Sequence, residues 1–275
     1  MEGTVELPDG ATIRCDTTGE GPDVVLLHPG LWDRRVWERQ METFPAAGFR
    51  VTRYDLRGYG GSSRPGDEAY SHAGDLLALM DALGIDRAAL VGCSMGGHVA
   101  IDAVLIAPER VWALAPVAAG LGGFEPLQEE LDWWDDAFAG YEEAVEAGEL
   151  ERAREIELRV WAPLGLDDPA GAAIRRIAFD NIHELTMDTS AETEIDPPAA
   201  HRLNEIDAPT LVLKPEHDPS YMRRTADLIA AGIPDARLVF IEGADHVVNL
   251  RQPERFDEVV LGFLDEVDSR VGSRQ

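Results

Sequence analysis

Short, unbroken apolar runs separated by stretches of helical spacing constrain this chain more than any other feature in it. Asp23-Val-Val-Leu-Leu-His28 and Ala88 to Cys93 lack the polar alternation of a strand with one wet face. Each therefore reads as a strand covered on both sides, and Phe49 to Asp55 makes another strand. Between them Val36, Gln40, Met41 and Phe44 recur at helical spacing, as do Leu76, Leu77, Met80 and Leu83 ahead of Gly84. Strands alternating with helices predict an α/β fold, a mostly parallel sheet with helices on both faces. Val5 to Leu7 and Ala11 to Thr17, flanking Pro8-Asp9-Gly10, predict an opening hairpin. Ligands of such sheets bind at the carboxyl ends of the strands, and His28, Asp55 and Ser94 each fall at such an end.

Val111 to Val117 is the next strand, and the one after it is Thr210 to Lys214. The roughly 90 residues between them far exceed the 12 to 15 that a structureless loop tolerates. Leu150, Ala153, Ile156 and Val160 share one helical stripe, as do Ile174, Ile177, Ala178, Ile182 and Leu185. The expected organisation is a core domain of residues 1–120 and 205–275 with a helical cap at 121–204. After it come a helix near Tyr221 to Ala231, a strand at Arg237 to Ile241 and a last helix carrying Phe256, Val260, Phe263 and Val267.

The 275 residues are 45% hydrophobic and 28% charged, which suits a soluble globular chain with a sizeable core. A net charge of −28 disfavours nucleic acid and anionic membrane surfaces as partners. Lys214 is the single lysine among many arginines; the acidic skew fits a merely soluble surface or a salt-adapted host. The N-terminus has no basic-then-apolar leader and no run of about 18 apolar residues occurs, so a cytoplasmic protein is expected. Cys15 and Cys93 are too few for a disulfide framework or a cysteine metal site. No metal or organic cofactor is implied, and the oligomeric state is not legible.

The chemistry centres on Gly92-Cys-Ser94-Met-Gly96, which follows one apolar run and precedes the helical spacing of His98 to Ala107. A serine at a strand-to-helix turn points its hydroxyl out of the sheet, and the new helix directs free N–H groups at the same spot. Serine needs a base, and the base needs an orienting carboxylate. His246 follows the strand Arg237 to Ile241, and Asp218 follows Thr210 to Lys214. Ser94, Asp218 and His246 thus stand at three strand ends in the order nucleophile, acid, base. Asp245 is a rival acid by proximity, although side chains of neighbouring residues rarely meet across a tight turn.

Five stretches in order, Leu-Leu-His28-Pro-Gly, Tyr54-Asp-Leu-Arg-Gly-Tyr-Gly-Gly-Ser-Ser63, Gly92-Cys-Ser-Met-Gly-Gly97, Glu216-His-Asp218 and Gly243-Ala-Asp-His246, resemble the α/β-hydrolase superfamily. The resemblance runs from the opening hairpin to the last helix, with only the cap lacking motifs. It implies the triad Ser94, Asp218 and His246, a structural turn at Asp55 and a loop-fixing His28. It also implies an oxyanion hole using the N–H of Met95 and a second donor after His28. Many relatives have His-Gly there, whereas Pro29 carries no N–H, so Gly30 or Leu31 supplies it.

The expected function is a serine hydrolase of a small to medium, largely apolar ester or lactone. A carbon–carbon bond hydrolase of a ring-cleavage pathway and a hydrolase-fold ligand sensor are the alternatives. Trp32, Trp133, Trp134 and Trp161 are candidate pocket walls, or else part of the core. The acidic run Glu142 to Glu157 reads as a solvated helix face, with Glu155 spaced to pair with Arg159.

Overall fold

A computed structural model of the protein describes residues 2–272. The hairpin expected at the start is β1 (Glu2–Glu6) and β2 (Thr12–Thr18), paired antiparallel. β3 (Asp23–Leu27), α1 (Gln40–Ala46), β4 (Arg50–Tyr54), α2 (His72–Ala82), β5 (Ala88–Cys93), α3 (Met95–Ile106) and β6 (Val111–Val117) follow. Then come four helices, α4 (Gln128–Ala137), α5 (Tyr141–Glu146), α6 (Leu150–Trp161) and α7 (Pro169–Asp180). The chain returns through β7 (Thr210–Pro215), α8 (Ser220–Gly232), β8 (Ala236–Ile241), a short α9 (Val248–Arg251) and α10 (Pro253–Gly272). The sheet has eight strands in the order β1-β2-β4-β3-β5-β6-β7-β8, and every pair from β4 to β8 is parallel.

The unbroken apolar runs have a direct explanation in β5. Ala88 and Leu90 face a core shared with Leu76, Leu79 and Ile101, while Ala89, Val91 and Cys93 face one shared with Phe44, Phe256 and Val260. Alternate residues of one strand thus bury themselves in opposite cores, and neither face calls for a polar side chain. Among the described residues no helix is long and apolar enough to cross a membrane.

The inserted helices do not stand clear of the core. Leu158, Ala162, Ile174, Ile177 and Ala178 join the second cluster directly, and Ala199, Leu203 and Ile206 join the first. Arg251 bonds Gly165 O at 2.6 Å and Asp168 Oδ1 at 3.2 Å, tying α9 to the segment that starts α7. The expected Glu155–Arg159 pair is not formed. Glu155 instead meets Arg175 of α7 at 2.6 Å, because the two helices pack side by side. The acidic run is likewise not wholly solvated: Glu157 is buried, 3.0 Å from the fully buried Arg154.

Candidate active site

Ser94 sits between β5 and α3 with φ 52° and ψ −114°, a backbone conformation that only glycine adopts without strain. The two flanking glycines have negative or extended φ, so their role is space. A Cβ on Gly92 would strike Gly96 O, and a Cβ on Gly96 would strike Leu27 O. Bare backbone at Gly92 therefore lets α3 approach β5, and at Gly96 lets it approach β3, which aims its N-terminus at Ser94. Ser94 N–H donates to Val117 O at 2.9 Å, and Gly120 N–H donates to Ser94 O at 3.1 Å, which fasten the elbow to the end of β6.

His246 and Asp218 arrive on two loops zipped together by two backbone bonds and one to a side chain. Glu216 N–H donates to Ile241 O, His217 N–H to Ala244 O, and Gly243 N–H to Glu216 Oε2, all at 2.9–3.0 Å. The result is a pair with His246 Nδ1 2.8 Å from Asp218 Oδ1, both side chains buried. A carboxylate partner assigns the proton to Nδ1, leaving Nε2 free to accept. Cys93 Sγ donates to His246 O at 3.4 Å, so the histidine's loop touches the residue before Ser94. His246 makes its side-chain hydrogen bond to Asp218 and none to Ser94. Burial pushes the Cys93 thiol well above its usual range, with Asp218 and Asp245 adding to the effect, which keeps it an unreactive thiol.

Asp245 is engaged elsewhere. Both its oxygens lie 3.0–3.1 Å from Arg251 Nε, which removes it as an orienter of His246. Asp55 accepts from Arg34 N–H and Gly61 N–H and pairs with Arg34 Nη1 at 2.7 Å, so it holds the turn. His28 Nε2 accepts from Leu56 N–H at 2.9 Å, and burial lowers its pKa, giving a neutral loop-fixing ring.

The loop after His28 carries the oxyanion candidates. Neither Gly30 nor Leu31 N–H is spent on a backbone partner. Leu31 has φ 68°, an uncommon left-handed conformation for a branched side chain. Met95 N–H lies in the first turn of the twelve-residue α3 and has no intrahelical acceptor.

The four tryptophans divide. Trp32 is 1% exposed, and its Nε1–H donates to Ile174 O at 2.9 Å. It is a strut between the loop and α7 rather than a pocket wall, a correction to the expectation from sequence. Trp133 faces a cavity of about 470 Å³ with His217, Asp218 and Arg223. Trp161 lies with its ring centroid 4.4 Å from that of His246. Trp134 separates two cavities: an apolar one of about 400 Å³ with Gly120, Leu121, Phe124 and Tyr221, and one of about 760 Å³ with Leu31 and Trp161. Sequence reasoning missed Tyr221, Phe138 and Tyr141, because an isolated aromatic residue in a helix carries no signal of the cavity it faces.

A family model described as the alpha/beta hydrolase family matches residues 24–259. The chain belongs to this family. It is 30% identical, over 96% of its length and 93% of the relative's, to a 2-hydroxy-6-oxononadienedioate/2-hydroxy-6-oxononatrienedioate hydrolase of Paraburkholderia phymatum. A solved hydrolase from Pseudomonas aeruginosa PA01 superposes with a TM-score of 0.77 at 29% identity, covering 96% of this chain and 98% of that one. A solved N-acyl homoserine lactone degrading enzyme gives 0.74 at 29% identity, covering 95% and 100%. Hydrolysis is therefore the family's chemistry, and these relatives are named for different substrates.

Proposed function

We propose that the protein is a serine hydrolase that cleaves a carboxylic ester or lactone of a small to medium, largely apolar substrate through an acyl-serine intermediate. In this reading the helices α4 to α7 act as the cap. The buried His246–Asp218 pair, linked through Cys93 to the strained turn of Ser94, is the observation that carries it. His246 Nε2 takes the proton of Ser94 Oγ as that oxygen attacks the carbonyl, while Asp218 holds the ring and stabilises the imidazolium. Met95 N–H and that of Gly30 or Leu31 receive the developing oxyanion; one such donor contributes about 100 to 1,000-fold in rate. The imidazolium then protonates the leaving oxygen. Water repeats the sequence on the acyl group, freeing the acid and restoring Ser94. The apolar portion of the substrate has room in the cavity of about 400 Å³ beside Gly120.

Carbon–carbon bond hydrolysis by the same three residues is the second reading, favoured by the name of the relative from Paraburkholderia phymatum. That name describes a dicarboxylate, whereas the cavity beside Leu31 is lined, among the described residues, by carboxylates and by no Lys or Arg. This lining favours the ester or lactone reading. Assaying simple esters, lactones and vinylogous diketones side by side separates the two: faster turnover of the diketones would reverse the preference. Ser94→Ala is expected to lose on the order of a million-fold in turnover. Retention of most hydrolysis in that variant would sink both readings.

A further inference from the structure

The cavity of about 760 Å³ has a chemical character that points to a substrate class. From the reaction centre outward, aromatic rings form a continuous series. Trp161 lies against His246, and Phe138 stacks on Trp134 at 4.2 Å. Tyr141 meets Phe138 edge-on at 5.7 Å. Trp134 is 39% exposed and Phe138, Tyr141 and Trp161 are half-buried, so the rings are not a hidden core of the inserted helices. Beyond the rings the lining carries Asp135, Glu142, Glu143 and Glu157. Glu157, 6% exposed, is paired with Arg154 at 3.0 Å and accepts from the Tyr141 hydroxyl at 3.3 Å.

Cations near the cavity are already engaged. Arg154, fully buried, is held between Glu157 and Glu184, the latter at 2.6 Å. Arg152, beside Gly140, pairs with Glu149 at 2.8 Å. Among the described residues, Asp135, Glu142 and Glu143 take part in no salt bridge. Exposed π-faces attract a cation through their quadrupole, and the effect grows when the site is partly desolvated. Carboxylates at the rim add attraction of the same sign and repel an anion.

We infer that this cavity receives an alkylammonium or quaternary ammonium portion of the substrate, with the scissile carbonyl at Ser94 and the apolar portion in the neighbouring cavity. The inference rests on the acyl-serine reading for its placement of the carbonyl. The positive centre sits against Trp134, Phe138 and Tyr141 and inside the field of Glu142 and Glu143.

The test compares nitrophenyl esters of three matched acids: γ-trimethylammoniobutanoate, its carbon isostere ending in a tert-butyl group, and glutarate. At low salt the cationic ester is expected to exceed the isostere by about tenfold or more in kcat/KM, with the glutarate ester slowest. The ratio of cation to isostere shrinks at high salt and in the Glu142→Gln/Glu143→Gln double variant, whose changes lie on an exposed helix face. An isostere equal to or better than the cation at low salt overturns the inference. Tryptophan fluorescence of the Ser94→Ala protein, titrated with the methyl amides of the first two acids, reads binding without turnover. Tighter binding of the cationic amide supports the inference, and equal binding overturns it. Absence of hydrolysis of every ester, with no labelling of Ser94 by a fluorophosphonate, would instead refute the acyl-serine reading, so the two failures are distinguishable.

Discussion

Strain at Ser94 is a property of one residue and has a thermodynamic signature. With φ 52° and ψ −114°, Ser94 occupies a region open to glycine and costly to any residue with a Cβ. Ser94→Gly and Ser94→Ala are both expected to abolish turnover, yet the glycine variant should be more stable than the alanine variant by about 1 kcal/mol, read from urea midpoints. Equal midpoints would show that the turn is relaxed. Asp218→Asn keeps the shape of the acid but reverses its hydrogen-bonding to Nδ1–H. It is expected to lower kcat by about 10⁴-fold with little change in melting temperature. Glu157 adds a pH-dependent contribution. Burial, with Glu184 adding to it against Arg154 and Tyr141, pushes its pKa from 4.5 up to about 7. Between those values the unfolded chain releases this proton while the folded chain keeps it, so the contribution destabilises the fold increasingly as pH rises across the window. Glu157→Gln should therefore flatten the decline in stability between pH 4.5 and 7 relative to the parent, measured as urea midpoints at several pH values.

At the scale of elements, the decisive contact is α3 against β3. Gly96 brings the helix so near Leu27 O that no side chain fits. Gly96→Ala must push the helix away from the sheet, which moves Met95 N–H off the oxyanion position. The expected result is a loss of about 1–3 kcal/mol in stability, the usual cost of overpacking, together with a fall in kcat larger than in substrate affinity. An unchanged kcat would mean that the N-terminus of α3 is not the donor. The loops after β7 and β8 are a second coupled element. Glu216 Oε2 holds Gly243 N–H, so the loops bearing Asp218 and His246 are positioned by a residue that touches neither partner of the pair. Arg251 draws Asp245 away from His246 and simultaneously grips Gly165 and Asp168, joining the His246 loop to the inserted helices.

For the whole molecule, a net charge of −28 over 275 residues is a source of self-repulsion in the compact state. Screening shortens the reach of that repulsion from about 30 Å at 0.01 M salt to about 3 Å at 1 M. The thermal midpoint is therefore expected to rise as sodium chloride is added over that range, in scans of the unliganded protein. A midpoint that falls would indicate that the surface salt bridges outweigh the excess of carboxylates. The same screening weakens capture of a cation at Glu142 and Glu143, so stability and cationic selectivity should move in opposite directions with salt.

Local patterning was enough to place β3, β4, β5 and the strand ends bearing Ser94, Asp218 and His246, because strand burial and turn chemistry are written within a few neighbouring residues. It also placed Pro29 as a non-donor, since that follows from covalent structure alone. Tertiary structure decided what depends on residues far apart in the chain. Trp32 became a buried strut because Ile174, 142 positions later, offers a carbonyl to its indole. Asp245 was removed as the orienting acid by Arg251, and Glu155 turned from Arg159 to Arg175 because α6 and α7 lie together. The chemical character of the cavity is likewise a tertiary property. Leu31, Trp134, Glu142 and Trp161 come from a loop and three different helices, and nothing in their own neighbourhoods in the sequence shows that they share one space.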